Sequence, residues 1–193
     1  KLIWLSTSLD ITETDKLSDF GYKSSLNSIS LGTSYEQFEN TFFSPRLSIS
    51  NESLETTSDA SAAYKKQEGS YFDASFSYGL NFDKRNSAYQ PTSGFYSSWY
   101  QQLPIVSENQ TVVNGYVITG YKELLDDMII STGIYTRTVN SLSNDDVRVS
   151  RRLYVPSSRL RGFESGKVGP KDGDDHVGGN YIITFNTSST IPY

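Results

Sequence analysis

The chain has 193 residues, a length that suits one domain with a sizeable core. Its net charge of -5 supplies no basic surface for nucleic acid, and the absence of cysteine excludes a disulfide framework and cysteine-based metal or thiol chemistry. Hydrophobic residues make up only 36%, yet aromatic residues reach 13%, which argues against disorder and favours strands with one apolar and one small-polar face.

Alternation of apolar and polar residues predicts strands along the whole chain. The pattern opens the chain at residues 3–11, is clearest over residues 72–83 and returns at residues 180–186. Less regular runs occupy five further segments: 22–35, 41–51, 93–103, 111–121 and 128–139. No segment has a convincing helical stripe, and the best local candidate, "YKELLDD" at residues 121–127, is interpreted as a turn between strands. The sequence therefore predicts about eight strands and an all-β fold.

Strand length favours a barrel over a sandwich. Several runs hold ten to fourteen residues, whereas a tilted membrane-spanning strand needs about nine to eleven and a typical globular strand has about five or six. The connection at residues 104–110 is short, and those at 52–70 and 140–178 are long and polar, which suggests short turns on one rim and long loops on the other. We predict an antiparallel transmembrane β-barrel, although a soluble β-sandwich shows the same alternation.

The first motif, "FDKRNSAYQPTSG", is a predicted hairpin connection at residues 82–94. Pro91 presets the backbone and Gly94 supplies conformational freedom before the next strand. Asp83 and Arg85 are close enough in sequence for an ion pair at a barrel rim, and an ordinary turn with a weak surface pair remains the simpler interpretation.

The second motif is the long segment "RLRGFESGKVGPKDGDDHVGGN" at residues 159–180, whose glycines and Pro170 preclude regular structure over most of its length. Loops of this length are usually functional or disordered. Leu160 and Phe163 argue against disorder because an exposed loop has little use for them. Arg161 between them suggests a tip that folds into a polar cavity and meets a carboxylate.

The ordered motifs resemble the superfamily of outer-membrane insertases and translocases. The resemblance is carried by Asp-x-Arg followed by Pro-Thr-x-Gly, then Arg-Gly-Phe, Val-Gly-Pro and Gly-Gly-Asn, and it covers residues 72 to 193. It implies that residues 1–193 are part of a larger barrel domain, with a long extracellular loop at about 140–178. We expect docking domains upstream and the final barrel strands to lie outside this sequence.

The resemblance also implies site residues. It places three in a sixth extracellular loop that packs on the inner wall: Arg161, Gly162 and Phe163. It adds Gly169 and Pro170 to that loop, places Gly178, Gly179 and Asn180 at the start of the next strand, and assigns Asp83, Arg85, Pro91 and Gly94 to the hairpin motif. Arg161 would anchor the loop, Phe163 would wedge it against the wall, and Gly162 would permit close backbone approach.

Some residues depart from the family pattern. Asn86 stands where an aspartate is usual, so any charge there is lost. Val155 and Pro156 replace a frequent glycine pair, which affects how the chain enters the loop. The carboxylate partner of Arg161 is expected beyond Tyr193.

The function implied by the resemblance is the folding and insertion of β-barrel precursors into the bacterial outer membrane without ATP. The expected partners are unfolded precursors, accessory lipoproteins and outer-membrane lipid, with no nucleic acid, no cofactor, no metal and no catalytic residue. Relatives that serve two-partner secretion or autotransporter assembly share the same motifs. A simple porin and a soluble binding module stay open as less favoured alternatives.

A metal loop was the strongest enzymatic candidate. Asp172, Asp174 and Asp175 beside His176 offer oxygen ligands and a glycine turn. The segment lacks the downstream glutamate and the full spacing of a calcium loop, so a solvated acidic loop is favoured.

Overall fold

The computed structural model describes residues 3–16, 22–58, 60, 62–173 and 175–190. Its main feature is one antiparallel sheet of eight long strands that follow one another in chain order. The strands are β1 (Ile3–Lys16), β2 (Tyr22–Phe38), β3 (Thr41–Thr56), β4 (Gly69–Asp83), β5 (Ser93–Ser107), β6 (Thr111–Leu125), β7 (Met128–Ser141) and β10 (Tyr181–Thr190). Four short elements complete the described fold: the helix α1 (Ala62–Lys65), a 3-10 helix (Val149–Arg151), and the paired strands β8 (Lys171–Asp172) and β9 (Asp175–His176). The all-β prediction is confirmed.

The eight predicted strands all occur, and most extend beyond their predicted ends. Seven hold 14 to 17 residues. The segment 121–127 is not helical, because β6 continues to Leu125 and a tight turn follows with Asp127 at φ 62°. Backbone pairing across a continuous sheet thus outweighs the helical preference of the glutamate and leucine residues in this segment.

The predicted assignment of short turns and long loops to opposite rims was wrong at one connection. β5 continues to Ser107, so the connection between β5 and β6 is only residues 108–110. Because neighbouring strands run antiparallel, this short turn lies on the same rim as the long connections 57–68 and 142–180. The opposite rim carries the connections 39–40, 84–92 and 126–127.

The two faces of the sheet differ sharply in polarity. On the outer face, Ile29, Leu31, Leu47 and Ile49 are each about half exposed. The inner face, defined as the face on which the connection 142–180 packs, carries mostly serine and other polar residues, in the alternation that the pleat requires. The polar and apolar faces predicted for residues 72–83 are therefore the inner and outer faces of β4.

The buried apolar side chains lie where the connections 57–68 and 142–180 cover the inner face. One apolar cluster contains Tyr22, Leu54, Ala60, Tyr64, Val149 and Val177, and a second contains Val113, Val139, Val147, Leu153 and Ile182. Each cluster joins strand residues to residues of the connection. Among the described residues, no helix is long and apolar enough to cross a membrane.

Candidate functional site

The candidate site is the docked loop, which we define as residues 142–180 together with the inner-face residues that they contact. The loop enters the inner face through a one-turn 3-10 helix, Val149–Arg151, and leaves it through the β8–β9 pair. Val147, Val149 and Leu153 are buried, and Val177 is buried near the other end. Both ends of the loop are therefore fixed to the sheet by apolar contacts.

Four buried or half-buried charges join the beginning of the loop to β3 and β4. Arg148 Nη1 lies 3.3 Å from Glu52 Oε2, and Arg148 Nη2 donates to Asp73 Oδ2. Arg151 Nη2 donates to the same Asp73 oxygen at 2.8 Å, and its Nε lies 3.9 Å from Glu52 Oε2. We call these four residues the root quartet. Two guanidinium groups balance two carboxylates, so the charges are compensated where water is largely excluded.

Further contacts hold the root quartet in place. The Arg148 guanidinium stacks over the Tyr71 ring at 4.4 Å. The Val149 amide donates to Gln67 Oε1 at 2.6 Å, and Ser107 Oγ donates to Asp73 Oδ1. Arg148 therefore packs on an aromatic ring of β4, and Asp73 accepts a further hydrogen bond from β5.

The helix α1 connects the docked loop to the neighbouring connection. Tyr64 of α1 and Tyr154 of the loop each donate a hydroxyl hydrogen bond to the His176 carbonyl at 2.9 Å. Burial raises the pKa of both tyrosines, so both stay protonated donors at neutral pH. Burial also lowers the pKa of His176, to which the charges of Lys171 and Lys167 add.

The Gly-Gly-Asn motif lies where the loop rejoins the sheet. Gly178 has φ +69°, and a Cβ there would lie 3.0 Å from the Tyr154 ring and 3.1 Å from Arg152 Cβ. Gly179 forms a two-bond bridge with Leu153, with N–O distances of 2.8 and 2.9 Å. The Asn180 carbonyl accepts from the Val139 amide at 2.9 Å. Only Gly178 of the pair has a conformational need for glycine.

The Arg-Gly-Phe tip is exposed. Arg161, Gly162 and Phe163 all lie on the surface, and Phe163 is 62% exposed. Within the described part of the chain, Arg161 forms no ion pair, and Tyr193 lies outside that part. Arg159, two residues before Arg161, does contact the inner face.

Arg159 marks the point at which the loop leaves the wall. Its guanidinium lies 5.1 Å from the Tyr135 ring, and its carbonyl accepts from Asn186 Nδ2 at 2.9 Å. Farther along, Gly169 is exposed with φ +134°, and the Pro170 carbonyl accepts from the Val177 amide at 3.1 Å. The loop thus contacts the inner face of β7 and β10 at Arg159, and the tip that follows is exposed.

The hairpin motif lies on the opposite rim from the docked loop. Arg85 contacts both carboxylate oxygens of Asp83, at 2.9 Å from Nε and 2.6 Å from Nη2, and this pairing raises the pKa of Arg85. The Arg85 guanidinium also lies 5.2 Å from the Tyr96 ring. Pro91 is half-buried, and Gly94 has φ +91° with the Lys84 carbonyl where a Cβ would stand.

Asn86 closes the hairpin motif by hydrogen bonds. Its Oδ1 accepts from the amides of Thr92 and Ser93 at 3.0 and 3.1 Å, and its Nδ2 donates to Thr92 Oγ1 at 2.7 Å. An aspartate could make the first two bonds but could not donate the third.

Comparison with known proteins identifies the family. A sequence model of the Omp85 superfamily domain matches residues 4–193, nearly the entire chain. The chain belongs to the Omp85 superfamily. A crystal structure of BamA from Haemophilus ducreyi lacking POTRA domains 1–3 has a similar fold, with a TM-score of 0.88 and 20% sequence identity. A comparison with curated proteins found no match.

The match to BamA covers 99% of this Omp85 chain and 42% of the BamA chain. The predicted family and the predicted fold, part of an outer-membrane barrel of the assembly-factor type, are therefore confirmed. Omp85 membership supports outer-membrane protein insertion or translocation at the level of the family, and an outer-membrane location.

Sequence reasoning missed the root quartet of this Omp85 chain. The loop cations lie in "DDVRVSRR" at residues 145–152. Asp73 lies on a strand that alternation predicted, whereas Glu52 lies in the segment 52–70 that was predicted as a connection. A usable signal existed, because a carboxylate on the polar face of a barrel strand needs a partner. Asp174 of the acidic segment lies outside the described residues, and no metal-binding group of three or more acidic, histidine or cysteine residues occurs among those described.

Proposed function

We propose that this chain forms part of the barrel wall of an outer-membrane assembly factor that folds and inserts β-barrel precursors. The observation that carries the proposal is a polar inner face covered by a docked loop, within a chain of the Omp85 superfamily. The apolar outer face suits contact with outer-membrane lipid, and the polar inner face suits a water-filled interior.

The docked loop argues against a simple porin. Two apolar clusters and the root quartet bury loop residues against the inner face, so the loop fills interior space at the long-loop rim. A loop that occupies interior space narrows the lumen at that rim, whereas a simple porin keeps a water-filled channel. A soluble binding module is disfavoured because the sheet exposes an apolar outer face.

The proposed work is noncovalent. We assign no catalytic residue and no cofactor to the protein. Its proposed partners are unfolded barrel precursors, accessory lipoproteins of an assembly complex and the lipid of the bacterial outer membrane. Insertion without ATP would draw on the free energy of burying precursor apolar surface in lipid.

The Arg-Gly-Phe tip has a proposed role in the complete barrel. Arg159 contacts the inner face of β7 and β10, and the tip that follows it is exposed and free to contact other parts of a complete barrel. We expect Arg161 to meet a carboxylate there, with Phe163 packed against the wall. In the full-length protein, Arg161→Ala should then weaken precursor assembly or the protein's own folding, and Arg161→Lys should do so less.

Depletion tests the proposed function in cells. The full-length protein that contains this chain would be depleted in its own bacterium, and folded barrel proteins would be followed by heat-modifiable electrophoretic mobility. We expect several unrelated barrel proteins to be lost together, and a wild-type copy to restore them. Normal barrel levels with loss of one secreted protein would overturn insertion in favour of translocation.

A further inference from the structure

The connection 57–68, between β3 and β4, contacts the docked loop near both of its ends. Near the beginning of the loop, the Val149 amide donates to Gln67 Oε1 at 2.6 Å. Near the end of the loop, the His176 carbonyl accepts from the Tyr64 hydroxyl at 2.9 Å. One short segment from elsewhere in the chain therefore bridges two points of the loop that are far apart in sequence.

Tyr64 and Gln67 are held at a fixed spacing. The Gln67 amide donates to the Tyr64 carbonyl at 2.9 Å, and the Lys66 amide donates to the Ala62 carbonyl at 3.3 Å. The helical turn of α1 thus continues as far as Gln67. Residues three apart on such a turn lie on the same face, so both side chains can reach the same neighbouring segment.

The strands hold this turn in place. Tyr64 is fully buried, and its ring centroid lies 5.2 Å from that of Tyr22 on β2. The Tyr71 hydroxyl of β4 donates to the Gln67 carbonyl at 2.7 Å. The two side chains that contact the docked loop are therefore presented by a turn that is itself fixed to the wall.

Apolar contacts join the same two ends of the loop. Val149 and Val177 of the docked loop pack in one buried cluster with Ala60 and Tyr64 of the connection. The two valines are 0% and 4% exposed, so opening either end of the loop would expose apolar surface to water. The beginning and the end of the loop therefore share one set of contacts.

Two contacts made by one rigid element assist each other. The first contact, once formed, holds the groups of the second at a high effective concentration, so the second forms at a lower cost in conformational entropy. Coupling of this kind is reciprocal, and loss of either contact weakens the other. Independent contacts behave differently, because each end of the loop could then open alone.

We propose that Ala60, Tyr64 and Gln67 form a clasp that holds both ends of the docked loop, so that the two ends dock and undock as one unit. The clasp controls access from the long-loop rim to the inner face that the loop covers. This inference goes beyond the proposed function and does not depend on precursor insertion, because it concerns only how the loop is held.

Cysteine labelling at one end of the loop, after a change at the other end, tests the clasp. This chain has no cysteine, so Val147→Cys or Val177→Cys in the full-length protein supplies a buried probe near either end. Tyr64→Phe removes the bond to the end of the loop. We expect a maleimide then to label position 147, near the beginning, about three- to tenfold faster. Gln67→Ala removes the bond to the beginning and should accelerate labelling at position 177 to a similar degree.

Two controls separate the clasp from a general loosening of the connection. Lys66→Ala changes an exposed side chain of the same connection and should leave both labelling rates unchanged. Gln67→Glu keeps an acceptor for the Val149 amide and should restore most of the protection. Heat-modifiable electrophoretic mobility shows that each variant is folded. Labelling that accelerates only at the end where the bond was removed, or at neither end, would overturn the clasp.

Hydrogen exchange tests the clasp in the wild-type protein, without a substitution. The amides of Gln67, Val149 and Val177 all donate hydrogen bonds, within the connection or near one end of the loop. If these parts open as one unit, the protection factors of the three amides should agree within about threefold. The Lys167 amide, which donates to the Glu164 carbonyl near the exposed tip, should exchange faster. Protection factors at residues 149 and 177 that differ by more than about tenfold would show that the two ends open independently, and would overturn the clasp.

Discussion

Arg148 and Asp73 are 75 residues apart in sequence, yet the guanidinium of one donates to the carboxylate of the other on the inner face of β4. Glu52 on β3 supplies the second carboxylate at 3.3 Å. The contact joins the beginning of the docked loop to two neighbouring strands. The docked loop is thus held by carboxylates of the strands themselves, through an arginine that lies well before the Arg-Gly-Phe tip in sequence.

Arg148→Ala should destabilise the barrel substantially. The substitution leaves Glu52 and Asp73 buried with only Arg151 to compensate them, and removing one partner from a buried ion pair costs about 3–5 kcal/mol. The free energy of unfolding in urea, read by electrophoretic mobility, measures the loss. Lys167→Ala is the control from the same loop: its side chain is 42% exposed and its ion-pair partner Glu164 is 76% exposed, so we expect about 1 kcal/mol or less. Equal losses in the two variants would refute a special role for the root quartet.

Gly94→Ala should disrupt the hairpin motif. A Cβ at this position would lie 2.0 Å from the Lys84 carbonyl, and the φ of +91° is one that side chains rarely adopt. We expect a cost well above 1 kcal/mol in the free energy of unfolding. Gly120→Ala offers a comparison, because a Cβ there meets nothing within 4 Å. A Gly94→Ala protein as stable as Gly120→Ala would show that the turn is not constrained as described.

Asn86→Asp should be tolerated better than Asn86→Ala. Aspartate keeps the acceptor for the Thr92 and Ser93 amides and loses only the donation to Thr92 Oγ1. Alanine loses all three bonds, for which we expect about 1 kcal/mol in the free energy of unfolding. Thermal unfolding of the two variants side by side decides the order. If alanine is the more stable of the two, the side-chain bonds do not hold the turn.

Loop docking should weaken in mild acid. Burial lowers the pKa of His176 below the ordinary value of about 6.5, so the undocked loop binds more protons just below that pH. The stability of docking is therefore fully present above about pH 6.5 and is lost as the pH falls through the folded pKa. Protease cleavage of the loop between about pH 7.5 and about pH 5 should accelerate on acidification. In a His176→Gln protein the cleavage rate should depend less on pH. If its pH dependence equals that of the wild-type protein, His176 is not the group responsible.

The fold was predictable because polar and apolar side chains alternate along each strand of a barrel wall. Alternation over residues 72–83 places polar side chains on one face, and the structure makes that face the inner one. The strand ends were less predictable, since backbone pairing carries β5 to Ser107 past Pro104. Local sequence contains no information on how far a neighbouring strand extends.

The hairpin and the docked loop differ in how much their sequence reveals. Asp83 and Arg85 are two residues apart, so their contact follows from local geometry. Asp73 and Arg148 meet only after the four strands β4 to β7 have formed in register, and no local pattern encodes that meeting. The tip motif drew attention to Arg161, whereas the contacts of the described chain lie at Arg148 and Arg151.

The most direct measurement of the central claim is the rate at which a β-barrel precursor folds into liposomes that contain the full-length protein. If this chain is barrel wall of an outer-membrane insertase, those liposomes should fold the precursor faster than protein-free liposomes, without ATP. The acceleration should fall in the Arg148→Ala protein. A precursor that folds no faster with the wild-type protein than in empty liposomes would contradict the proposed function.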